Sequence, residues 1–244
     1  MNEQSSLHRP IGDLPISQLL SESQRLNQWL YQLIRKCLKG KVLEIGSGQG
    51  TLSSLFVQDG FALRISDPDR SNCAFLQEKF NGEPMIKGVH QLDLAIPTFG
   101  TTYSGFIERF DTLVAINAME QNEDETLILN NAKSLLRHRG RLVILLPAHI
   151  ALYEESEIGF GQWRRLNRSD IRQRLGKDWE VLHTQFFAVS AINPSSDTSD
   201  NRDLQGENSE TRYHQNVPSF CITDEKFFNQ AGLYIFTVAR KISV

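Results

Sequence analysis

Cysteine is scarce in this sequence. Three occur among 244 residues, Cys37, Cys73 and Cys221, and they lie far apart without forming a CxxC pair. They are not combined with histidines at the spacings that hold a structural zinc ion. Sparse, unpaired cysteines suit a reducing compartment. The sequence therefore predicts a cytoplasmic protein without a metal site.

Long apolar runs and an excess of one charge are also missing. The segment MNEQSSLHRP lacks the apolar centre of a signal peptide, and no later run approaches the length of a transmembrane helix. The formal net charge is -3, without a basic stripe of the kind that binds nucleic acid. These absences predict no nucleic-acid partner and no membrane span, and they leave the oligomeric state open.

Apolar runs of strand length alternate with helical patterns along most of the chain, which is typical of a parallel α/β sheet. Seven strands are predicted, at residues 41–45, 61–66, within 84–94, and at 110–117, 141–147, 179–190 and 232–241. A loop, not a helical crossover, joins the last two. The predicted fold class is α/β with a doubly wound sheet. A helical segment at residues 1–40 would precede the sheet domain at residues 41–244.

Two connecting segments carry signals of their own. Asn122 and Glu125 are spaced as a capping box, and basic residues precede Gly140, so a helix is predicted over 122–140. Residues from about 193 to 218 are polar and almost free of aliphatic side chains. Because such a composition cannot bury itself, it predicts a mobile surface insertion.

The stretch VLEIGSGQG, residues 42–50, is a strand that enters a glycine-rich turn. In an open α/β sheet the ligand lies beyond the carboxyl ends of the strands, beside such a turn. A dinucleotide loop would need a third glycine where Thr51 stands, and no P-loop GK[ST] follows. The acid Glu44 would repel a pyrophosphate and attract an ammonium or sulfonium group. The loop therefore favours a cationic ligand over a nicotinamide dinucleotide.

Acidic residues also follow the next two strands. Asp67 ends the second strand, where a carboxylate can accept hydrogen bonds from both hydroxyls of a ribose. The alternative is a helix N-cap, since Asp67, Asp69 and Ser71 all precede a helix. Asp93 follows the third strand and is a further candidate beside the ligand, or else a polar loop residue.

Five segments in order resemble the motif series of class I S-adenosylmethionine-dependent methyltransferases: VLEIGSGQG, ISDPD, HQLDLA, FDTLVAINAMEQNEDE and LLRHRGRLVILLPAH. The resemblance covers roughly residues 25 to 190. It implies a seven-stranded sheet with an antiparallel last strand, S-adenosylmethionine as cofactor and S-adenosylhomocysteine as product. It also implies a cofactor site made by Glu44, Gly46, Ser47, Gly48, Gly50, Asp67, Pro68, Asp93, Leu94 and Asn117. In that site Asp67 takes the ribose, Asp93 and Leu94 flank the adenine, and Asn117 faces the methionine amino group.

A narrower resemblance follows the fifth strand. The segment LPAHIALYEESEIGFGQWRRL is similar to a bacterial small-molecule subgroup with the pattern PAHxxLYxxxDxxxGHxRRY. Two positions at which that subgroup has histidine are Gln121 and Gln162 here. The resemblance implies methyl transfer to oxygen or nitrogen of a glycan, lipid precursor or natural product. The two glutamines suggest an alternative, a non-catalytic protein of this fold that binds cofactor or a partner.

Methyl transfer to a hydroxyl benefits from a general base. His149, which follows a buried strand at the carboxyl edge, is the first candidate, and Glu120 is the second. The alternatives are a local backbone cap for His149 and a favourable helix-dipole contact for Glu120. Arg164 and Arg165 could clamp an anionic acceptor, or form a solvated basic patch. Tyr153 could cover the cofactor and is, with the two arginines, a candidate substrate-binding residue.

Overall fold

The computed structural model describes residues 24–116, 118, 124–147, 168–192, 219–224 and 234–242. These residues contain eight strands: β1 Val42–Ile45, β2 Leu63–Asp67, β3 Ile86–Gln91, β4 Phe110–Ile116, β5 Leu136–Pro147, β6 Trp179–Ile192, β7 Ser219–Asp224 and β8 Tyr234–Lys241. The helices are α1 Gln24–Arg35, α2 Thr51–Gln58, α3 Arg70–Lys79, α4 Phe99–Thr102, α5 Glu125–Leu135 and α6 Arg168–Leu175, with a 3-10 turn at Ser104–Phe106. In this part of the chain no helix has the length and apolarity needed to cross a membrane.

The strands form one sheet in the order β3-β2-β1-β4-β5-β8-β6-β7. Strands β1 to β5 pair in parallel, and β8 is antiparallel to both of its neighbours, β5 and β6. The doubly wound α/β fold with its antiparallel last strand is therefore confirmed. An eighth strand, β7, pairs with β6 at the edge of the sheet, beyond the seven that the sequence predicts.

The strand order reverses between β1 and β4, and this point positions the site. The chain runs outward from β1 through β2 to β3, then returns to the other side of β1 as β4. At such a switch point the loops after the two central strands turn in opposite directions and leave a crevice between them. The glycine turn after β1 borders that crevice.

The core lies on both faces of the sheet. On one face α1 buries Leu26, Leu30 and Ile34, all completely shielded from solvent, together with Phe56 of α2. On the other face α5 and α6 cover a second apolar cluster that includes Leu135 and Ile171. The 3.6-residue spacing of the α1 leucines therefore reflects packing against the sheet domain.

The segment between β4 and β5 differs from the predicted helix. Helix α5 begins after Asp124, whose side chain accepts a hydrogen bond from the backbone N–H of Leu127 at 2.9 Å, and it ends at Leu135. The chain then enters β5 five residues before the predicted strand, through an irregularity between the pairs Phe110–Leu136 and Thr112–Arg141. The residue after the helix, Leu136, is extended with a φ of -81° and a ψ of 138°, so the helix stops without a glycine, and Arg139 takes a left-handed φ of 63° farther along the chain.

Candidate functional site

The carboxyl ends of β1, β2 and β4 meet at the glycine turn. The backbone N–H of Ser47 donates to the carbonyl of Ser66, at the end of β2, over 2.9 Å. On the other side, a Cβ placed on Gly46 would lie 2.5 Å from Cβ of Ala118, just beyond β4. The turn therefore fits between its two neighbouring strands only because residue 46 has no side chain.

Three alternate glycines of the turn adopt the left-handed conformation, with φ of 68°, 52° and 69° at Gly46, Gly48 and Gly50. Gly50 abuts protein like Gly46, since its Cβ would lie 2.8 Å from both Leu76 and Phe80. Gly48 is different: around its hypothetical Cβ no described atom lies within 4 Å. Residue 48 therefore presents bare backbone to open space, as close approach of a ligand requires.

Asp67 orders this turn from the end of β2. Its side chain is only 5% exposed. One carboxylate oxygen accepts a hydrogen bond from the backbone N–H of Gly48 at 2.9 Å. The other oxygen accepts from the Asp69 N–H at 2.9 Å and from the Asn72 amide at 3.1 Å. Asp67 thus ties the glycine turn to the start of α3.

The N-cap of α3 is Asp69, whose carboxylate accepts from the backbone N–H and the hydroxyl of Ser71, each at 2.7 Å. These hydrogen bonds hold the pKa of Asp69 below its ordinary value. The sequence does not decide which of the two acids caps the helix, and the structure distinguishes them. Asp69 caps the helix, and Asp67 faces the turn.

Glu44 lies beneath the turn in β1 and is 4% exposed. Burial raises the pKa of Glu44 from the ordinary 4.5 to about 7. The Ser53 hydroxyl, the Ser47 hydroxyl and the Lys79 ammonium group stabilise the charged form and lower the pKa, but burial has the larger effect. Ser53 donates to Glu44 at 2.6 Å. The Ser47 hydroxyl is buried nearby, yet it forms no hydrogen bond of normal geometry with any described residue.

Lys79, in the last turn of α3, completes the support of the turn. Its ammonium group donates to the carbonyls of Gln49 and Gly50, at 2.7 and 3.3 Å. Two amides of the turn are also already used, since Gly48 N–H donates to Asp67 and Gly50 N–H to the Ser47 carbonyl at 2.8 Å. A phosphate-binding loop instead keeps its amides directed at the ligand. The geometry therefore agrees with the sequence argument against a pyrophosphate.

The turn after β3 places Asp93 near the same edge of the sheet. The Asp93 carboxylate accepts from the Ala95 N–H at 2.8 Å, and the Asp93 N–H donates to the Tyr103 hydroxyl at 3.2 Å. Leu94 is 5% exposed and packs in the apolar core, while its carbonyl accepts from the Asn131 amide at 2.8 Å. Tyr103 and Asn131 thus fix this turn.

Pro68 is exposed directly after Asp67, and its carbonyl accepts from Gln91 at 3.0 Å. Six predicted site residues, Asn117, Glu120, His149, Tyr153, Arg164 and Arg165, lie outside the described residues, as do Gln121, Gln162 and the segment 193–218. Among the residues that are described, no group of His, Cys, Asp and Glu could hold a metal ion.

Replacing Glu44 with Gln should change how the free energy of unfolding depends on pH. Unfolded, Glu44 ionises near 4.5; folded, it holds its proton to about pH 7. Its contribution to stability is therefore complete below pH 4.5 and is lost as the pH rises through 7, by on the order of 2–3 kcal/mol. Urea unfolding of the wild type and Glu44→Gln at pH 5 and pH 8 measures it.

We expect the variant to gain stability relative to the wild type on going from pH 5 to pH 8. Glu78→Gln, which removes an exposed carboxylate from α3, is the matched control and should give a pH-independent difference. Equal pH slopes for the wild type and Glu44→Gln would show that Glu44 is already fully ionised when buried.

No protein-family model matches the chain. A curated relative is the Dictyostelium discoideum protein named "Probable polyketide synthase 42", which is 26% identical over 175 residues. The match covers 65% of this chain and 6% of that protein. The chain thus corresponds to a small part of the length of its relative.

Solved structures share the fold at low identity. A SAM-dependent methyltransferase from Thermotoga maritima superposes with a TM-score of 0.57 at 12% identity, covering 93% of this chain and 94% of that one. The [4+2]-cyclase SpnF superposes with a TM-score of 0.58 at 14% identity, covering 89% of this chain and 81% of that one. The chain therefore has the fold of class I S-adenosylmethionine-dependent methyltransferases, the family whose motifs it resembles.

Proposed function

We propose that the chain is a methyltransferase that binds S-adenosylmethionine at the glycine turn and methylates a small molecule. The observation that carries the proposal is Gly48, whose bare backbone faces open space while Asp67 holds its N–H. The cofactor fits the donors and acceptors at this place. Two acids, Glu44 and Asp67, lie around the turn. The Asp67 carboxylate suits a ribose, and a sulfonium nearby would favour the ionised form of Glu44, whose pKa burial raises to about 7. The buried Ser47 hydroxyl still has hydrogen-bonding capacity.

Asp67 would hold the ribose hydroxyls. A carboxylate offers about four acceptor positions, and the chain's own donors occupy three of those at Asp67. One hydroxyl can therefore be accepted without rearrangement. The second would replace the Asn72 amide, the longest of the three contacts at 3.1 Å. Asp93 and Leu94 would lie beside the adenine, with Pro68 at the entrance and Asn117 at the methionine amino group.

When bound, the cofactor supplies an activated methyl group, and the protein's task is to align the acceptor with it. His149 is the proposed general base, with Glu120 as the second candidate. Arg164 and Arg165 would hold an anionic group of the acceptor, and Tyr153 would contact its body. A natural product fits the relative that is named a polyketide synthase, and glycans and lipid precursors are the other acceptor classes.

A second candidate function is a protein of this fold that binds the cofactor or a partner without transferring a methyl group. The similarity to SpnF supports this second candidate, because SpnF shares the fold and is named a cyclase. Fold alone does not fix chemistry.

The two candidates can be separated with radiolabelled S-adenosylmethionine and a panel of polyketide-type, glycan and lipid acceptors. Transfer of label to one acceptor, with equimolar release of S-adenosylhomocysteine, is the expected result. Tight cofactor binding without product across the panel would favour the non-catalytic candidate. Absence of cofactor binding would contradict the methyltransferase and would leave, of the second candidate, only the form that binds a partner.

Replacing Asp67 with Ala should weaken S-adenosylmethionine binding by roughly 1.5–3 kcal/mol, about 10- to 150-fold in Kd, because a charge-assisted hydrogen bond is lost. Titration calorimetry measures the affinity. Asp69→Ala is the matched control: it removes the α3 cap and should lower the free energy of unfolding by about 1 kcal/mol without changing Kd. If Asp67→Ala lowers only the stability, Asp67 is a structural residue.

A further inference from the structure

A basic groove lies at the edge of the sheet opposite the glycine turn. It has a volume of about 540 Å³ and is formed where β1, β2, β3 and β4 begin. The groove is lined in part by Lys41, Arg64, Lys87, Arg109, Gly105 and Phe106. Its size suits a small-molecule ligand. Of the residues implied in cofactor binding, none that the structure describes is among those lining the groove.

The charge of the basic groove is unbalanced. Four of its lining residues are cationic and none is acidic. Within the described part of the chain, none of these four forms an ion pair. Two acids lie next to the lining in sequence. Glu108 pairs with Lys241 at 3.4 Å, and Asp111 pairs with Arg137 at 3.6 Å and accepts from the backbone N–H of Lys41 at 2.8 Å. In a chain whose formal net charge is -3, such a cluster creates a local positive potential.

The side chain of Arg64 is held in a fixed position. Its guanidinium group donates to the Lys87 carbonyl at 2.5 Å and lies 3.4 Å from Nε2 of His90. This contact between Arg64 and His90 depends on the missing side chain of Gly88, because a Cβ there would lie 2.7 Å from the His90 ring and 3.1 Å from the guanidinium group. A guanidinium group has five N–H donors, so this anchoring leaves donors free. A fixed arginine loses little side-chain entropy when it binds a ligand.

We propose that the basic groove binds the phosphate groups of a small phosphorylated molecule. Two arginines offer planar pairs of N–H donors that match phosphate oxygens, and two lysines add point charges. A multiply charged phosphate matches four cations better than a single carboxylate does. The partly buried ring of Phe106 forms an apolar wall beside the cationic groups and offers a surface to the rest of the ligand.

Titration calorimetry at ~0.15 M salt tests this proposal with two probes, inorganic pyrophosphate and ATP. One-to-one binding of pyrophosphate is the expected result. Equal affinities for the two probes would assign the site to phosphate alone, and tighter binding of ATP would assign it to a phosphorylated molecule with an organic part. Absence of stoichiometric binding of both, or binding only of a long polyanion such as heparin, would overturn the proposal.

Variants locate the site. Arg64→Gln and Arg109→Gln should each weaken pyrophosphate binding at least 10-fold. Arg172→Gln, which removes the same charge from the exposed face of α6, is the matched control and should leave the affinity within 2-fold. Equal losses in all three variants would show a non-specific charge effect and overturn the proposal. Gly48→Val should leave pyrophosphate binding unchanged, which separates this site from the cofactor site.

A spectroscopic measurement adds independent information about position. Because the His90 ring contacts Arg64, its NMR signals should move when pyrophosphate is added to the wild type and stay fixed in Arg64→Gln. Signals of His183, which lies on β6 away from the groove, should stay fixed in both proteins. Movement of the His183 signals without movement of those of His90 would place the anion elsewhere.

Discussion

Replacing Gly48 with Val should abolish S-adenosylmethionine binding, with a loss of affinity of at least about 100-fold, while the protein stays folded. The Cβ of residue 48 points into open space, so the branched side chain meets no protein atom among the described residues. It would instead occupy the volume that the proposed ligand needs. Titration calorimetry gives the affinity, and far-ultraviolet circular dichroism checks the fold.

The substitution also strains the backbone, because Gly48 has a φ of 52° that residues other than glycine rarely adopt. A control must separate this loss of stability from the loss of binding. Gly82→Val provides it. Gly82 has a φ of 77°, and its Cβ would also meet no described atom within 4 Å, but it precedes β3 at the opposite edge of the sheet. Both variants should lose similar stability, and only Gly48→Val should lose cofactor binding. Equal affinities in the two folded variants would contradict the assignment.

Replacing His149 with Ala should lower turnover by at least about 100-fold for a hydroxyl acceptor, with cofactor affinity nearly unchanged, because a general base contributes roughly 10²–10⁴-fold. Neither Gln121 nor Gln162 can take up a proton at neutral pH. Steady-state kinetics measures the loss, and the pH–rate profile of the wild type should show one essential base near neutrality that the variant lacks.

His138→Ala, which removes an exposed histidine from β5, is the control and should leave turnover unchanged. Full activity of His149→Ala on a hydroxyl acceptor would remove His149 from the mechanism and leave Glu120 as the base to test. With a neutral amine or an ionised carboxylate as acceptor, alignment alone suffices, and we expect the variant to stay active.

The fold follows from the sequence because its signals are local. Alternating strand and helix patterns and the glycines at positions 46, 48 and 50 predict the sheet and its switch point. Two features are less local. Strand β7 follows a long polar segment and pairs at the edge with β6. Helix α5 ends at Leu135 because Leu136 already takes the extended conformation of β5, whereas the sequence places the end of the helix at Gly140.

The supports of the site are harder to predict, because they depend on contacts between distant residues. Lys79 lies thirty positions from Gln49, and nothing in its own sequence context indicates that it covers the carbonyls of the turn. Tyr103 and Asn131 likewise fix the Asp93 turn from other elements. The sequence also does not tell which of Asp67 and Asp69 caps the helix, because both acids satisfy the pattern of an N-cap. Their hydrogen bonds in the structure distinguish them.

The location of cofactor binding can be tested directly by two-dimensional amide NMR of the whole chain during titration with S-adenosylmethionine. We expect the largest shifts at Gly46, Gly48 and Gly50, with further shifts at Asp67 and Asn72. The amides of Gly60 and Gly82, at the opposite edge, should not move. Saturable shifts centred on that opposite edge, or no shift at the glycine turn at saturating cofactor, would contradict cofactor binding at this turn.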